Sequence, residues 1–494
     1  MNTQDSTLPI AVLGAGPVGL AAAAQLLERG LTPLVLEAGK SAGANLLSYA
    51  HVQLFSPWQY NVDKASARLL STVGWQAPQE DVLPTAGEIF TQYLSPLSRA
   101  PTLAPHIRLS HVVTSIARQS VDKVKTAARA QSAFVIRANT PAGEVELLAR
   151  AVIDATGTWN QPNSLGGNGL PALGERALAD RVVYGMPDVL GSDRSRYTGK
   201  RVLVVGSGHS AAGNLLALAQ LADMEPATQI VWATRSSNLA KVFGGGSADG
   251  LAARGALGSR LKALRDSGRL EAHTAFFIHK LAARGAKIDV HALDGARVIE
   301  NVDVIICSTG SRPNLGMTQE LRLKLDPALE TTEALAPLID PNEHSCGTVR
   351  PHGHRELAHP EAGYYAVGAK SYGRAPTFLL VTGYEQARSV VAAIAGDLAA
   401  ADDVQLVLPE TGVCSTDLLT DEVAGCGASC APKPSATESA AAKLIEKQSA
   451  SCCGGPPKSD ADACCVKDEE AKAIGESGCG CAPTTPTPKS ACCA

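Results

Sequence analysis

Cysteine is almost absent from the body of this chain. Of 13 cysteines in 494 residues, only Cys307 and Cys346 precede residue 410. The first 400 residues carry no C-x-x-C or C-x4-C pair, so neither a disulfide framework nor a dithiol redox pair is to be expected there. A basic excess is missing too. The formal net charge is -4, which argues against a nucleic-acid partner. Met1 to Pro9 has no basic stretch of the kind that opens a secretory leader, so no signal peptide is expected and the cytoplasm is the expected location. One uncharged run, Ile10 to Leu27, is about long enough to raise the question of a membrane span. Gly14, Gly16, Pro17 and Gly19 interrupt it with a turn pattern, so no membrane partner is expected. Beyond Asp403 the chain has no Trp, Phe or Tyr at all.

What is present begins with that interrupted run. Ile10 to Leu13 reads as a short buried strand. Gly14, Gly16 and Gly19 then form G-x-G-x-x-G, with Pro17 inside it. The alanine-rich Leu20 to Glu28 reads as a helix stopped at Gly30, and Leu34 to Leu36 as a second strand ending in Glu37. Each part has a physical task in holding a dinucleotide. Gly14 makes the tight turn, Gly16 lets the backbone approach a pyrophosphate, and Gly19 lets helix and strand pack closely. The helix N-terminus faces the phosphates, and Glu37 can accept hydrogen bonds from a ribose.

A chain of this length predicts two or three domains. Leu54 to Asn61 reads either as a loop lining the space beside a cofactor or as an ordinary core-edge segment. Thr85 and Glu88 have capping-box spacing at the start of an amphipathic helix. His106 to Ile116 and Phe134 to Arg137 read as strands of a small antiparallel sheet, with Thr140 to Gly143 as a turn. Val152 to Gly157 is a buried strand running into Ala-Thr-Gly, where Thr156 and Gly157 let backbone pass close to a nucleotide. The opening element then recurs. Lys200 to Val205 is a strand, Gly206-Ser207-Gly208-His209-Ser210-Ala211 a turn, Asn214 to Ala222 a helix and Gln229 to Ala233 a strand. Arg235 follows, near where Glu37 followed the first unit. An acid there suits a free ribose hydroxyl, whereas an arginine suits a 2′-phosphate. FAD is therefore expected on the first unit and NADPH on the second. Val302 to Asn314 runs a strand into Ser308-Thr309-Gly310. Cys307 on it reads as a small buried hydrophobe, not a nucleophile. Gly363 to Gly368 is another short strand, and Tyr384 to Ala395 a helix. His344, His352, His354 and His359 match no metal spacing and read as loop residues.

Taken together, the fingerprints at Gly14 to Gly19 and Gly206 to Ala211, with Asp154 to Gly157 and Ser308 to Asn314, resemble the two-dinucleotide-binding-domain flavoproteins. Within them the chain is most similar to the flavin-containing (class B) monooxygenases, over roughly residues 8 to 400. The resemblance implies an α/β fold of two Rossmann-like domains. FAD-binding segments are expected at 1–180 and 326–403, an NADPH-binding domain at 181–325 and a disordered cysteine-rich tail at 404–494. In such enzymes NADPH reduces the flavin, which then activates oxygen toward a soft nucleophile. The candidate cofactor-binding residues are Gly14, Gly16, Pro17, Gly19, Glu37, Val113, Thr156, Gly157, Gly206, Ser207, Gly208, Ser210, Arg235, Thr309, Gly310 and Gly368. Two departures stand out. Arg181 to Asp188 lacks the histidine of the class B signature, and Gly368 is followed by Ala369 and Lys370 instead of the usual aspartate.

Residues after 403 carry 12 acidic and 7 basic side chains and too little apolar area to order themselves. Eleven cysteines gather there, among them Cys426 and Cys430, Cys452-Cys453, Cys464-Cys465, Cys479 and Cys481, and Cys492-Cys493. Adjacent Cα atoms lie ~3.8 Å apart, closer than the ~4.4–6.8 Å of ordinary disulfides. Vicinal thiolates suit a larger soft centre such as trivalent arsenic or Hg(II), and Zn or Cu(I) could also bind. The candidate metal ligands are Cys452, Cys453, Cys464, Cys465, Cys479, Cys481, Cys492 and Cys493. The segment from Ala463 to Cys481 is similar to cysteine-rich stretches of proteins encoded with arsenic-resistance systems. The reading is an NADPH- and FAD-dependent oxidoreductase, monooxygenase-like, acting on a thiophilic small molecule, with a trivalent arsenical the leading substrate. A flavin reductase with another substrate, or a thiolate-rich binding protein, is the alternative. No catalytic side chain is assigned, and a homodimer is left open.

Overall fold

Short runs that are apolar but for Asp154 open the fold. Ile10–Leu13, Pro33–Leu36 and Ala151–Asp154 are buried at every position, as interior parallel strands should be. In the computed structural model, which describes residues 7–244, 252–343 and 349–406, these three strands pair in parallel. Tyr364–Ala366 flanks them on one side and Ile107–Arg108 on the other. A second five-stranded parallel sheet runs Glu271–His273, Gln229–Ala233, Arg201–Val205, Val304–Cys307, Val182–Tyr184.

Successive side chains of a strand point to opposite faces, and each sheet uses this to feed two cores. Ile10, Val12, Val35 and Ile153 pack with the helices Pro17–Glu28 and Leu380–Ile394. Ala11, Leu13, Leu34, Leu36 and Val152 turn the other way, onto Ile116, Phe134 and Ile136 of a three-stranded antiparallel sheet. The second sheet repeats the arrangement. Val202, Val204, Ile230 and Trp232 meet the helices His209–Met224 and Ala252–Asp266. Leu203, Val205 and Val231 meet Ile278, Ile288 and Val290 of another antiparallel sheet, Ile278–Arg284, Lys287–Ala292 and Val298–Val302.

The opening run is therefore strand, turn and helix, as its glycines predict. Among the described residues no helix is long and apolar enough to cross a membrane. Pro17 sits in the first turn of its helix, where a missing N–H costs nothing. The Thr85 and Glu88 capping box forms in both directions. Several boundaries differ from expectation, that of the first helix among them, which starts at Pro17 instead of Leu20. The stretch His106 to Ile116 splits, Ile107–Arg108 joining the parallel sheet and Val112–Arg118 the antiparallel one, because Ser110 turns the chain at positive φ between them. The second-unit helix starts at His209, directly after the extended Gly208, instead of at Asn214. The helix expected from Tyr384 starts at Leu380. The tail candidates Cys452, Cys453, Cys464, Cys465, Cys479, Cys481, Cys492 and Cys493 lie outside the described residues, as do Cys346 and His344.

Candidate active site

Each glycine-rich turn opens onto its own cavity. The first, of about 590 Å³, is lined by Gly14, Gly16, Pro17, Glu37, Val113, Thr156, Gly157 and Gly368, all of them candidates from the sequence. Gly14 takes φ +90°, and a Cβ there would stand 2.8 Å from the carbonyl oxygen of Ala155. Gly19 does not line the cavity. A Cβ on it would sit 1.9 Å from the Gly14 carbonyl oxygen, so it is the close-packing glycine of the three. Gly16 meets no protein atom within 4 Å on its side-chain face, so packing within the protein leaves room for a side chain there. A glycine that packing does not require, facing a cavity at a helix N-terminus, is what a closely approaching phosphate needs.

Glu37 is held in place. Its Oε2 accepts the Ala15 N–H at 2.6 Å and its Oε1 the Gly39 N–H at 2.7 Å. The carboxylate is thereby aimed into the cavity with lone pairs left for a diol. His111 lies at the same end, since its N–H donates to the Glu37 carbonyl at 2.8 Å.

The second cavity, also about 590 Å³, is lined by Gly206, Ser207, Gly208, Arg235, Thr309 and Gly310. Gly208, like Gly16, has no protein atom within 4 Å of a would-be Cβ. Ser210 stands in the first turn of its helix, outside the lining. Arg235 is exposed and donates to the Gly167 carbonyl at 3.3 Å. Arg235 and Arg374 are the ionisable side chains of the lining, and no carboxylate is among its residues.

The two cavities adjoin. Thr158, Ala369 and Phe378 line both. Around this junction the first cavity is aromatic and uncharged, with Tyr49 and Trp159 in ring contact at 4.4 Å and Asn160 and Gln161 beside them. Burial pushes the Tyr49 hydroxyl up to about 12, so it stays neutral. Leu54, Phe55 and Ser56 also line this cavity, which favours the lining over the core-edge reading of that loop. The Phe55 ring lies 5.2 Å from His209 of the second turn.

Sequence reasoning missed the charge beneath the junction. Lys370 Nζ lies 2.6 Å from Asp154 Oδ2, with side-chain exposures of 1% and 0%. The same ammonium donates to Thr156 Oγ1 at 3.0 Å and to the Asn314 carbonyl at 2.9 Å. Tyr364 donates to Asp154 Oδ2 at 3.0 Å, and burial together with that carboxylate pushes its hydroxyl well above the ordinary tyrosine range. Lys370 thus ties together three segments that line the first cavity. The sequence shows only that an expected aspartate is absent there.

Cys307 is buried beside Thr309, and burial pushes its thiol up to about 12. It is a packed thiol, as its place on a strand suggests. Of the histidine group noted in the sequence, His352, His354 and His359 are described and lie in loops. His352 Nε2 accepts from Gln386 at 2.8 Å, and His354 Nε2 meets Asp402 at 3.0 Å. Among the described residues no group of three metal-ligating side chains comes together.

A family model described as pyridine nucleotide-disulphide oxidoreductase matches residues 11–346. Among solved structures, the bacillithiol disulfide reductase Bdr from Bacillus cereus is similar at 16% identity and a TM-score of 0.58, over 79% of this chain and 99% of that one. The corresponding reductase from Staphylococcus aureus is similar at 14% identity and 0.57, over 79% and 98%. DfoA bound to FAD, the desferrioxamine-pathway cadaverine monooxygenase of Erwinia amylovora, is similar at 14% identity and 0.57, over 81% and 97%. At these identities the likeness is one of fold. No curated protein sequence matches this chain.

Proposed function

This chain belongs to the pyridine nucleotide-disulphide oxidoreductase family, and on that premise we propose that its first cavity holds FAD, its second NADPH, and that the pair drives oxidation of a soft, uncharged small molecule. The observation that carries the reading is the shared lining of Thr158, Ala369 and Phe378, which lets one ligand's reactive end meet the other's. When bound, FAD supplies hydride acceptance and the activation of oxygen. The chain's own residues supply position. Gly16 and Gly208 leave space for pyrophosphates at two helix N-termini. Glu37 holds a ribose, and Arg235 favours a 2′-phosphate. Lys370 and Asp154 fix Thr156 under the reacting end. Trp159, Tyr49 and Phe378 keep that end apolar and exclude water.

The first 400 residues carry no C-x-x-C or C-x4-C pair, and among the described residues the one cysteine, Cys307, is a buried thiol that burial pushes up to about 12, which speaks against a dithiol step there. The ionisable side chains lining the first cavity are Glu37, Tyr49 and His111. Glu37 and His111 lie together beyond the second strand, and Tyr49 beside Trp159 is neutral. Among the described residues, the first cavity's lining around Tyr49 and Trp159 offers a charged substrate no counter-ion. A trivalent arsenical acid, uncharged near neutral pH and carrying a lone pair on arsenic, meets that requirement. The vicinal cysteines beyond Cys452 would capture it and raise its effective concentration. The missing signature histidine favours a second reading, an NADPH-driven flavin reductase without oxygenation. NADPH oxidation and oxygen uptake should be measured together in FAD-loaded protein during an arsenite titration. Matched consumption that rises with arsenite supports the first reading. NADPH loss that is indifferent to arsenite removes the arsenical and supports the second.

A further inference from the structure

We propose that Arg374 is a second anion-binding residue of the pyridine-nucleotide cavity, acting on the pyrophosphate and so on NADPH and NADH alike. The inference rests on reading the second cavity as the nucleotide site. Arg374 belongs to the segment that follows the edge strand Tyr364–Ala366 of the first sheet, yet it lines the cavity opened by Gly206 to Gly208 of the second.

Its place is fixed by backbone. Gly373 takes φ +58°, and a Cβ there would stand 2.0 Å from the Leu329 carbonyl oxygen. The Arg374 N–H donates to that same carbonyl at 2.7 Å, and the N–H groups of Gly373 and Ala375 donate to Lys370 and Tyr372 at 3.1 and 2.9 Å. Gly373 and Ala375 are buried while Arg374 between them is exposed. The turn is thus rigid, and it presents one long cation to the cavity. Among the described residues the guanidinium makes no hydrogen bond or ion pair, and the nearby carboxylate of Glu330 is taken by Arg312. A rigidly presented arginine without a protein partner, in a cavity lined by no carboxylate, is available to a phosphate in its fork geometry.

Which phosphate follows from the neighbours. Ala369 and Phe378, which flank Arg374 on the same segment, line both cavities and mark the junction where hydride passes. Arg235 stands after the strand Gln229–Ala233, at the ribose 2′ position. Arg374 therefore serves the part of the nucleotide common to NADPH and NADH, and Arg235 the part that distinguishes them.

The test is equilibrium binding of NADPH and of NADH to FAD-loaded protein, for the natural chain and for Arg374→Ala, Arg374→Lys and Arg235→Ala. Flavin content and circular dichroism serve as controls for folding. Loss of one charged hydrogen-bonding partner is expected to raise both Kd values about tenfold in Arg374→Ala, partly recovered in Arg374→Lys. It should also lower the salt dependence of binding. Arg235→Ala should weaken NADPH and spare NADH. Kd values within twofold of the natural chain in Arg374→Ala, or an effect confined to NADPH, overturn the role given to Arg374 while leaving the cavity assigned. FAD-loaded natural protein that binds neither nucleotide overturns the cavity's assignment and Arg374 with it.

Discussion

Replacing Lys370 by Met removes a cation of similar length from a place that water does not reach. Asp154 keeps its bonds from Tyr364 Oη–H, Thr156 N–H and Thr156 Oγ–H but loses the ammonium at 2.6 Å. Breaking a buried pair by removing one partner costs about 3–5 kcal/mol. Urea unfolding of both proteins at pH 7 reads this difference directly. The double variant Asp154→Asn, Lys370→Met, which buries no charge, should lose less than Lys370→Met alone. A deficit under about 1 kcal/mol, or a double variant no more stable than Lys370→Met, would refute the reasoning.

Three further outcomes follow from the geometry. Gly16→Ala should melt within a few degrees of the natural protein yet retain little flavin by absorbance, because its methyl meets no protein atom, whereas Gly19→Ala should misfold against the Gly14 carbonyl. Burial lowers His359 to about 4, and His352 and His354 are lowered as well, so protonation favours unfolding. Their stability is present above the ordinary histidine value of ~6.5 and is lost as pH falls from there toward 4. His359→Gln should flatten part of that loss in thermal melts taken across pH 4 to 7. Cys307→Ser should turn over NADPH at the natural rate, since a thiol pushed up to about 12 offers no thiolate at neutral pH; a large loss would show that the thiol takes part.

The two strand, glycine-turn and helix units were legible because their signals are local. A four-residue apolar run, a glycine at each point where a Cβ would collide or a phosphate must approach, and an acid or an arginine after the next strand all lie within about thirty residues, as the backbone geometry requires. Burial of Cys307 was legible for the same reason, since its strand is apolar throughout. Helix starts moved by a few residues because Gly208 and Leu379 adopt extended backbone, with helical residues directly after them, a boundary that periodicity does not resolve. What the tertiary structure alone decided concerns residues brought together from far apart. Lys370 reads in sequence as a missing aspartate. Only folding sets it against Asp154 and against Thr156, 214 residues away, with no water to screen the charges. Trp159 meets Tyr49, and Arg374, which follows a strand of the first sheet, lines the cavity at the turn of the second, through crossings that leave no periodic trace. Local sequence determined the two strand, glycine-turn and helix units. The packing of two sheets, each with helices on one face and a small antiparallel sheet on the other, decided which side chains would meet where the two cavities join.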